Sequence, residues 1–242
     1  MKTIKGIWRF SRVICYTFVC LFQAYTRFKH VDRKEKGRML RYYPTQVLKL
    51  AGVRCSYEGH VPELLHECGL TDTPPACLVL SNHVSWLDIF SLDSQLPSRF
   101  IAKAEIAKWP IFGLIAQQIG TLFINRSSKR AILRINDDIR GALCNCEAVT
   151  IFAEGTTTFG NELLPIKANF IAPVCEIGAT VQPVILSYKN KGKPTKQAAF
   201  SGDVTLFGSL WNVVTMEDAE VVVHFLEPIT NTKDLTRHEV AK

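Results

Sequence analysis

The chain has 242 residues, 47% of them hydrophobic, enough to bury one sizeable core and to suggest one main domain. Its net charge of +7 is unevenly spread: residues 1–60 carry 13 Lys and Arg against 3 Asp and Glu, and the remainder 16 against 19. A nucleic-acid partner is set aside because the N-terminal bases bracket an apolar stretch.

That stretch, Val13 to Thr26, follows Lys2, Lys5, Arg9 and Arg12 and precedes Arg27, Lys29, Arg33 and Lys34. As a helix it rises about 21 Å, short of the ~30 Å hydrocarbon core of a bilayer. Positive charge on both flanks, with Trp8 and Tyr25 at the ends, suits a helix lying in one leaflet among anionic head groups. No small-residue cleavage site follows the run, which argues against a signal peptide. Leu40, Tyr43, Val47 and Leu50 recur at helical spacing, but Pro44 should break that pattern, so the second helix is expected over 44–51, ended by Gly52. Residues 1–52 thus read as a membrane-attached helical hairpin and 53–242 as the main domain. An ordinary hairpin packed on the core is the competing reading.

Downstream, short apolar strands alternate with helices. Strands are expected at 54–59, 77–80, 100–102, 121–124, 149–152, 181–187 and 220–225. Helices are expected at 86–95, 109–119, from Ser128 (an N-cap) through Leu143, and at 168–177. An irregular connection is expected from Pro62 to Pro75. The alternation predicts an α/β fold with a largely parallel sheet flanked by helices and an antiparallel edge. Eight cysteines, at 15, 20, 55, 68, 77, 144, 146 and 175, form no C-x-x-C pair. They indicate neither a disulfide framework nor a zinc site, and suit a reducing cytoplasmic face.

Four strand ends carry polar cargo: His83 with Asp88, Lys103, Asn125 with Arg126, and Glu154-Gly155-Thr156. In a parallel sheet these ends fall on one edge and can line one crevice. A histidine backed by a carboxylate can accept a proton near neutral pH. Lys103 and Arg126 add fixed positive charge suited to a phosphate. Each group has a purely structural alternative. Ser85-x-x-Asp88 can be a helix cap, Arg126 a solvated arginine, and Glu154-Gly155 a turn.

The blocks Asn82-His83-x-x-x-x-Asp88, Gly120-x-x-Phe123-Ile124-x-Arg126 and Phe152-x-Glu154-Gly155-Thr156, with the apolar run around Pro183, resemble the glycerolipid acyltransferases, including the 1-acylglycerol-3-phosphate acyltransferases. The resemblance covers about residues 75–190. It implies acyl transfer from acyl-CoA or acyl-ACP, as co-substrate and not cofactor, to the free hydroxyl of a lysophospholipid at a cytoplasmic membrane face. On that reading His83 and Asp88 are catalytic. Lys103, Asn125, Arg126, Glu154, Gly155 and Thr156 bind substrate, and no metal takes part. Where the family commonly continues Glu-Gly-Thr with arginine, this chain has Thr157, as in a branch that includes lyso-ornithine-lipid acyltransferases. A hydrolase and a non-catalytic lipid-binding protein are the rival classes. No G-x-S-x-G elbow accompanies the dyad.

Overall fold

The computed structural model describes residues 2–60, 77–125 and 128–242. The expected connection at 62–75 lies outside the described residues. Strand β2 (Cys77–Ser81) is the organising element: it is buried along its whole length, as a strand covered on both faces must be. It pairs in parallel with β5 (Val149–Phe152) and with β6 (Thr180–Asn190). Beyond β5 the sheet continues in parallel to β3 (Arg99–Lys103) and β4 (Leu122–Ile124). On the other side β8 (Ala219–Phe225) joins β6 antiparallel, and β1 (Val53–Gly59) runs beside β8 in the same direction. The order is β1-β8-β6-β2-β5-β3-β4, with a short β7 (Lys193–Pro194) pairing on β6. The sheet is thus largely parallel with an antiparallel side, as expected.

Two hydrophobic clusters cover its faces, and successive residues of β2 alternate between them, Val79 to one and Leu78 and Leu80 to the other. The Val79 side is closed by α1 (Lys2–Thr26), α2 (Arg33–Ala51), α3 (Leu87–Asp93) and α7 (Leu206–Val214). The opposite face is closed by α5 (Lys129–Cys144), α6 (Ala172–Ile177) and α8 (Arg237–Val240), with Ile135, Ile139 and Leu143 of α5 on one stripe. Val13, Val47 and Ala51 share a cluster with the strands, so the N-terminal helices pack on the sheet's own core.

Several elements differ from expectation, among them the helix expected at 168–177, which is a 3-10 turn (Ala168–Phe170) followed by the shorter α6. Helix α2 runs through Pro44 instead of starting there. Asp32 caps its start by accepting from Glu35 N at 2.8 Å, and the Thr45 hydroxyl donates to Arg41 O at 2.7 Å near the proline. Burial of Pro44 against its neighbours outweighs the missing backbone bond. The segment from Ala104 is a 3-10 turn (Ala104–Lys108), and α4 spans only Phe112–Gln118. Trp109, which precedes Pro110, is extended (ψ 132°), as a residue before proline tends to be. Helix α7 was not foreseen at all; Thr205 caps it by accepting from Gly208 N.

Gly52 ends α2 in the left-handed region (φ 75°), and a Cβ there would sit 2.2 Å from the Arg9 guanidinium carbon. Arg9 is 8% exposed and donates at 3.1 Å to the carbonyl of Val214, the last residue of α7, and at 2.9 Å to Met216 O just past it. Gly52→Ala therefore combines backbone strain with displacement of Arg9. It is expected to destabilise the fold by about 1–3 kcal/mol, read as a lower denaturation midpoint in urea.

Candidate active site

The loop after β2 is held from several directions. Asn82 continues the ladder with its side chain: its amide nitrogen donates to Leu186 O at 3.0 Å and its oxygen accepts from Leu186 N at 2.7 Å. The backbone N–H of His83 donates to Glu154 Oε1 at 3.2 Å, and Thr158 N donates to His83 O at 2.8 Å. The imidazole stacks on Phe152 with ring centroids 3.8 Å apart and planes 10° off parallel.

Asp88 is fully buried at the start of α3 and faces back to the loop. Its Oδ2 meets His83 Nδ1 at 2.7 Å and accepts from Val84 N at 2.7 Å and Ser85 N at 2.9 Å. Its Oδ1 accepts from the Tyr188 hydroxyl. The cap anticipated at Ser85 is therefore inverted: the carboxylate satisfies the amides of the entering turn and orients the histidine as well. Burial, and the carboxylate beside it, push the Tyr188 hydroxyl well above its ordinary pKa, so it remains a hydrogen-bond donor. With Nδ1 engaged by Asp88, Nε2 is the ring nitrogen left to exchange a proton.

Glu154 follows β5, the strand next to β2. It is 3% exposed, and its second oxygen accepts from Leu164 N at 3.4 Å. Burial raises its pKa, while amide bonds from His83 and Leu164 pull it back down. In this geometry Glu154 fastens the histidine's backbone. Gly155 turns the chain at φ 74°, and Thr156 is exposed beside it.

The four strand ends share one edge, but at different distances. His83 and Glu154 come from adjacent strands and meet. Lys103 ends β3, two strands from β2, and its side chain is exposed; Asn125 follows β4, one strand further. At about 4.8 Å per strand these lie roughly 10 and 14 Å along the edge. Arg126 lies outside the described residues.

Sequence reading missed Tyr188, the Phe152 stack and a second loop over the site. Phe200 N donates to Val84 O at 2.8 Å, and its carbonyl accepts from the Thr157 hydroxyl. Alternation along β6 buries Val184, Leu186 and Tyr188 on one face, a pattern that gives burial but not the hydroxyl's partner. An apolar cavity of about 290 Å³ includes His83 in its lining and extends between α1 and α2 to Ala24, Phe28 and Met39.

Asp93 is a polar exception in that cavity wall, 2% exposed and accepting from Ser98 N at 3.1 Å. Burial raises its carboxyl well above the ordinary range. Such a group stabilises the fold fully while protonated, below its unfolded pKa, and that contribution is lost as pH rises through the folded value. Asp93→Asn keeps the acceptor for Ser98. The variant is therefore expected to melt higher than wild type at pH 8, with the difference shrinking toward pH 4. Parallel thermal melts check this, and a pH-independent difference would contradict it.

Comparison with known proteins bears on the family and the fold. The family model described as Acyltransferase matches residues 62–187. The 1-acyl-sn-glycerol-3-phosphate acyltransferase of Neisseria gonorrhoeae is 42% identical over 154 residues, 63% of this chain and 60% of the relative. The lyso-ornithine lipid O-acyltransferase of Pseudomonas aeruginosa is 40% identical over 165 residues, 68% of this chain and 63% of the relative. Both matches span less than two thirds of those relatives' length. The lyso-ornithine lipid O-acyltransferase of Rhizobium meliloti is 32% identical over 225 residues, 88% of this chain and 74% of the relative. The crystal structure of the 1-acyl-sn-glycerophosphate (LPA) acyltransferase PlsC from Thermotoga maritima shares the fold, with a TM-score of 0.67 at 17% identity over 100% of this chain and 92% of that one. A family model spanning half the sequence, and a relative matched over most of both chains, meet here with a histidine held by a buried aspartate: the chain belongs to the acyltransferase family.

Proposed function

We propose that this protein is a membrane-associated O-acyltransferase that moves a fatty acyl chain from acyl-CoA or acyl-ACP to the free hydroxyl of a lysophospholipid, 1-acyl-sn-glycerol-3-phosphate first. The carrying observation is that His83, fixed through Nδ1 by a buried Asp88, lines an apolar cavity. His83 Nε2 takes the proton of the acceptor hydroxyl as its oxygen attacks the thioester carbonyl. The tetrahedral intermediate collapses with loss of the C–S bond, and the imidazolium returns its proton to the leaving thiolate. Asp88 stabilises that imidazolium and keeps Nε2 outward. The enzyme needs no nucleophile of its own, because the substrate hydroxyl takes that part. Lys103, Asn125 and the Gly155-Thr156 turn are the proposed acceptor contacts along the sheet edge, and Arg126 is proposed as a further one. The 13–24 stretch of α1, with Phe28 just beyond the helix, borders the cavity, which suits an acyl chain entering from a leaflet. No described helix is long and apolar enough to cross a membrane, in keeping with attachment to one face through α1 and α2.

Thr157 favours a second acceptor. Its hydroxyl is committed to Phe200 O and brings no charge to a place where the family commonly has arginine. An acceptor without a phosphomonoester, a lyso-ornithine lipid, would not need that charge.

The test offers purified protein in liposomes a long-chain acyl thioester with 1-acyl-sn-glycerol-3-phosphate, with a lyso-ornithine lipid, or with no acceptor, and follows free thiol. Thiol release that depends on an acceptor is expected, and the ratio of the two rates ranks the acceptors. Equal release without acceptor would make the protein a thioesterase.

A further inference from the structure

Helix α7 has no charged residue, yet Phe207 and Trp211, one turn apart, are 63% and 37% exposed. An outward aromatic pair on a helix without a charged residue invites a covering surface. Its neighbour is α1. The Phe10 ring lies 6.5 Å from Phe207 and 6.1 Å from Trp211 between centroids. A Cβ on Gly6 would sit 2.8 Å from Thr215 Cγ2 and 3.6 Å from the Trp211 ring. Arg9 closes the seam through the Val214 and Met216 carbonyls.

The arrangement of α1 shows where the aromatic pair leads. At about 100° per residue, Gly6, Arg9, Phe10 and Val13 share the side turned to α7. Ile7 and Phe18 come next beyond Phe10, then Ile4 and Phe22, with Lys5 and Arg12 at the far margin. Ile4, Ile7, Phe18 and Phe22 are all more than half exposed. Because Phe207 and Trp211 touch Phe10, their surface continues directly into this stripe. Arg12 lies over the exposed Trp8 ring at 4.0 Å, placing a cation beside an amphipathic aromatic.

We propose that α7 is a second membrane-inserting element, riveted to α1, and that the two helices present one apolar face to an anionic leaflet. Charge complementarity selects this occupant: Lys5 and Arg12 run along the margin of the apolar stripe, in a segment of 60 residues with 13 bases against 3 acids, which suits acidic head groups. The proposal extends the N-terminal attachment given under Proposed function to an element more than 200 positions along the chain. Phe207 also borders the cavity that contains His83, so the inserted face sits where an acyl chain would leave the leaflet.

The test reads binding, not turnover, so it can fail while the acyl-transfer assignment stands, and the reverse. The full chain is sedimented with vesicles of phosphatidylcholine and phosphatidylglycerol. F207S/W211S is expected to raise the lipid concentration for half-maximal binding about tenfold or more. A variant with Trp8→Phe and Trp109→Phe leaves α7 untouched and keeps Trp211 as its exposed tryptophan. Bromine-labelled acyl chains should quench its fluorescence, and adding Trp211→Phe should remove that quenching. Unchanged binding by a folded F207S/W211S protein would overturn the proposal. So would a bound Trp211 as open to aqueous iodide as in solution, or quenching absent because α7 pairs two copies of the chain.

Discussion

His83→Ala is expected to lower acyl transfer about 10²–10⁴-fold, the range supplied by a positioned general base. The loss should fall on the maximal rate at saturating acceptor, because the ring acts on the proton in transit and not on the head group. Stability should change little. The groups that fix this loop are the backbone of His83, the Asn82 side chain and Glu154, and the substitution leaves them in place. Only the stack on Phe152 and the bond to Asp88 are lost. Thiol release with saturating lysolipid, compared with thermal melts of both proteins, separates rate from folding. A variant that folds and keeps near-normal turnover would remove His83 from the mechanism.

Asp88→Asn is expected to injure both. Oδ2 accepts from His83 and from two backbone amides, and Oδ1 accepts from Tyr188, so the buried carboxylate meets only donors. An asparagine must turn its own N–H groups toward one side of that set. The conflict is expected to cost about 2–4 kcal/mol of stability. It also releases the tautomer that leaves Nε2 unprotonated. In serine hydrolases the equivalent change costs about 10⁴ in rate, which sets the scale here. Melting temperature and turnover should therefore fall together, whereas His83→Ala lowers turnover alone. An Asp88→Asn protein as stable as wild type would mean that the donors around that oxygen can relax.

Much of the site was legible in the sequence because its parts are local. His83 and Asp88 are five positions apart, and a strand followed by a helix decides that they meet. Apolar runs at 77–80 and 149–152 identified buried strands, and parallel pairing put His83 and Glu154 side by side. What stayed hidden depends on contacts distant in sequence. Tyr188 reaches Asp88 across 100 positions, and no pattern within β6 marks which face of it meets the dyad. The division at residue 52 came from composition, whereas Val13 and Val47 pack with Val221 in one cluster. Pro44 misled because proline's penalty is local and the packing that overcomes it is not. Helix α7 escaped notice because it is only nine residues long and contains Gly208, too short a run for its one-sided apolar spacing to stand out.

The Asn82 amide that prolongs the sheet past the end of β2 has a consequence for how catalysis is controlled. Donor and acceptor on one side chain stand in for a peptide unit, so the chain can swing away into the loop without losing its grip on β6. On the proposed acyl-transfer reading, the base is thereby parked at a fixed address before any lipid arrives. Discrimination between one amphiphile and another would then be exercised by the corridors leading to it, not by reshaping of the reactive centre.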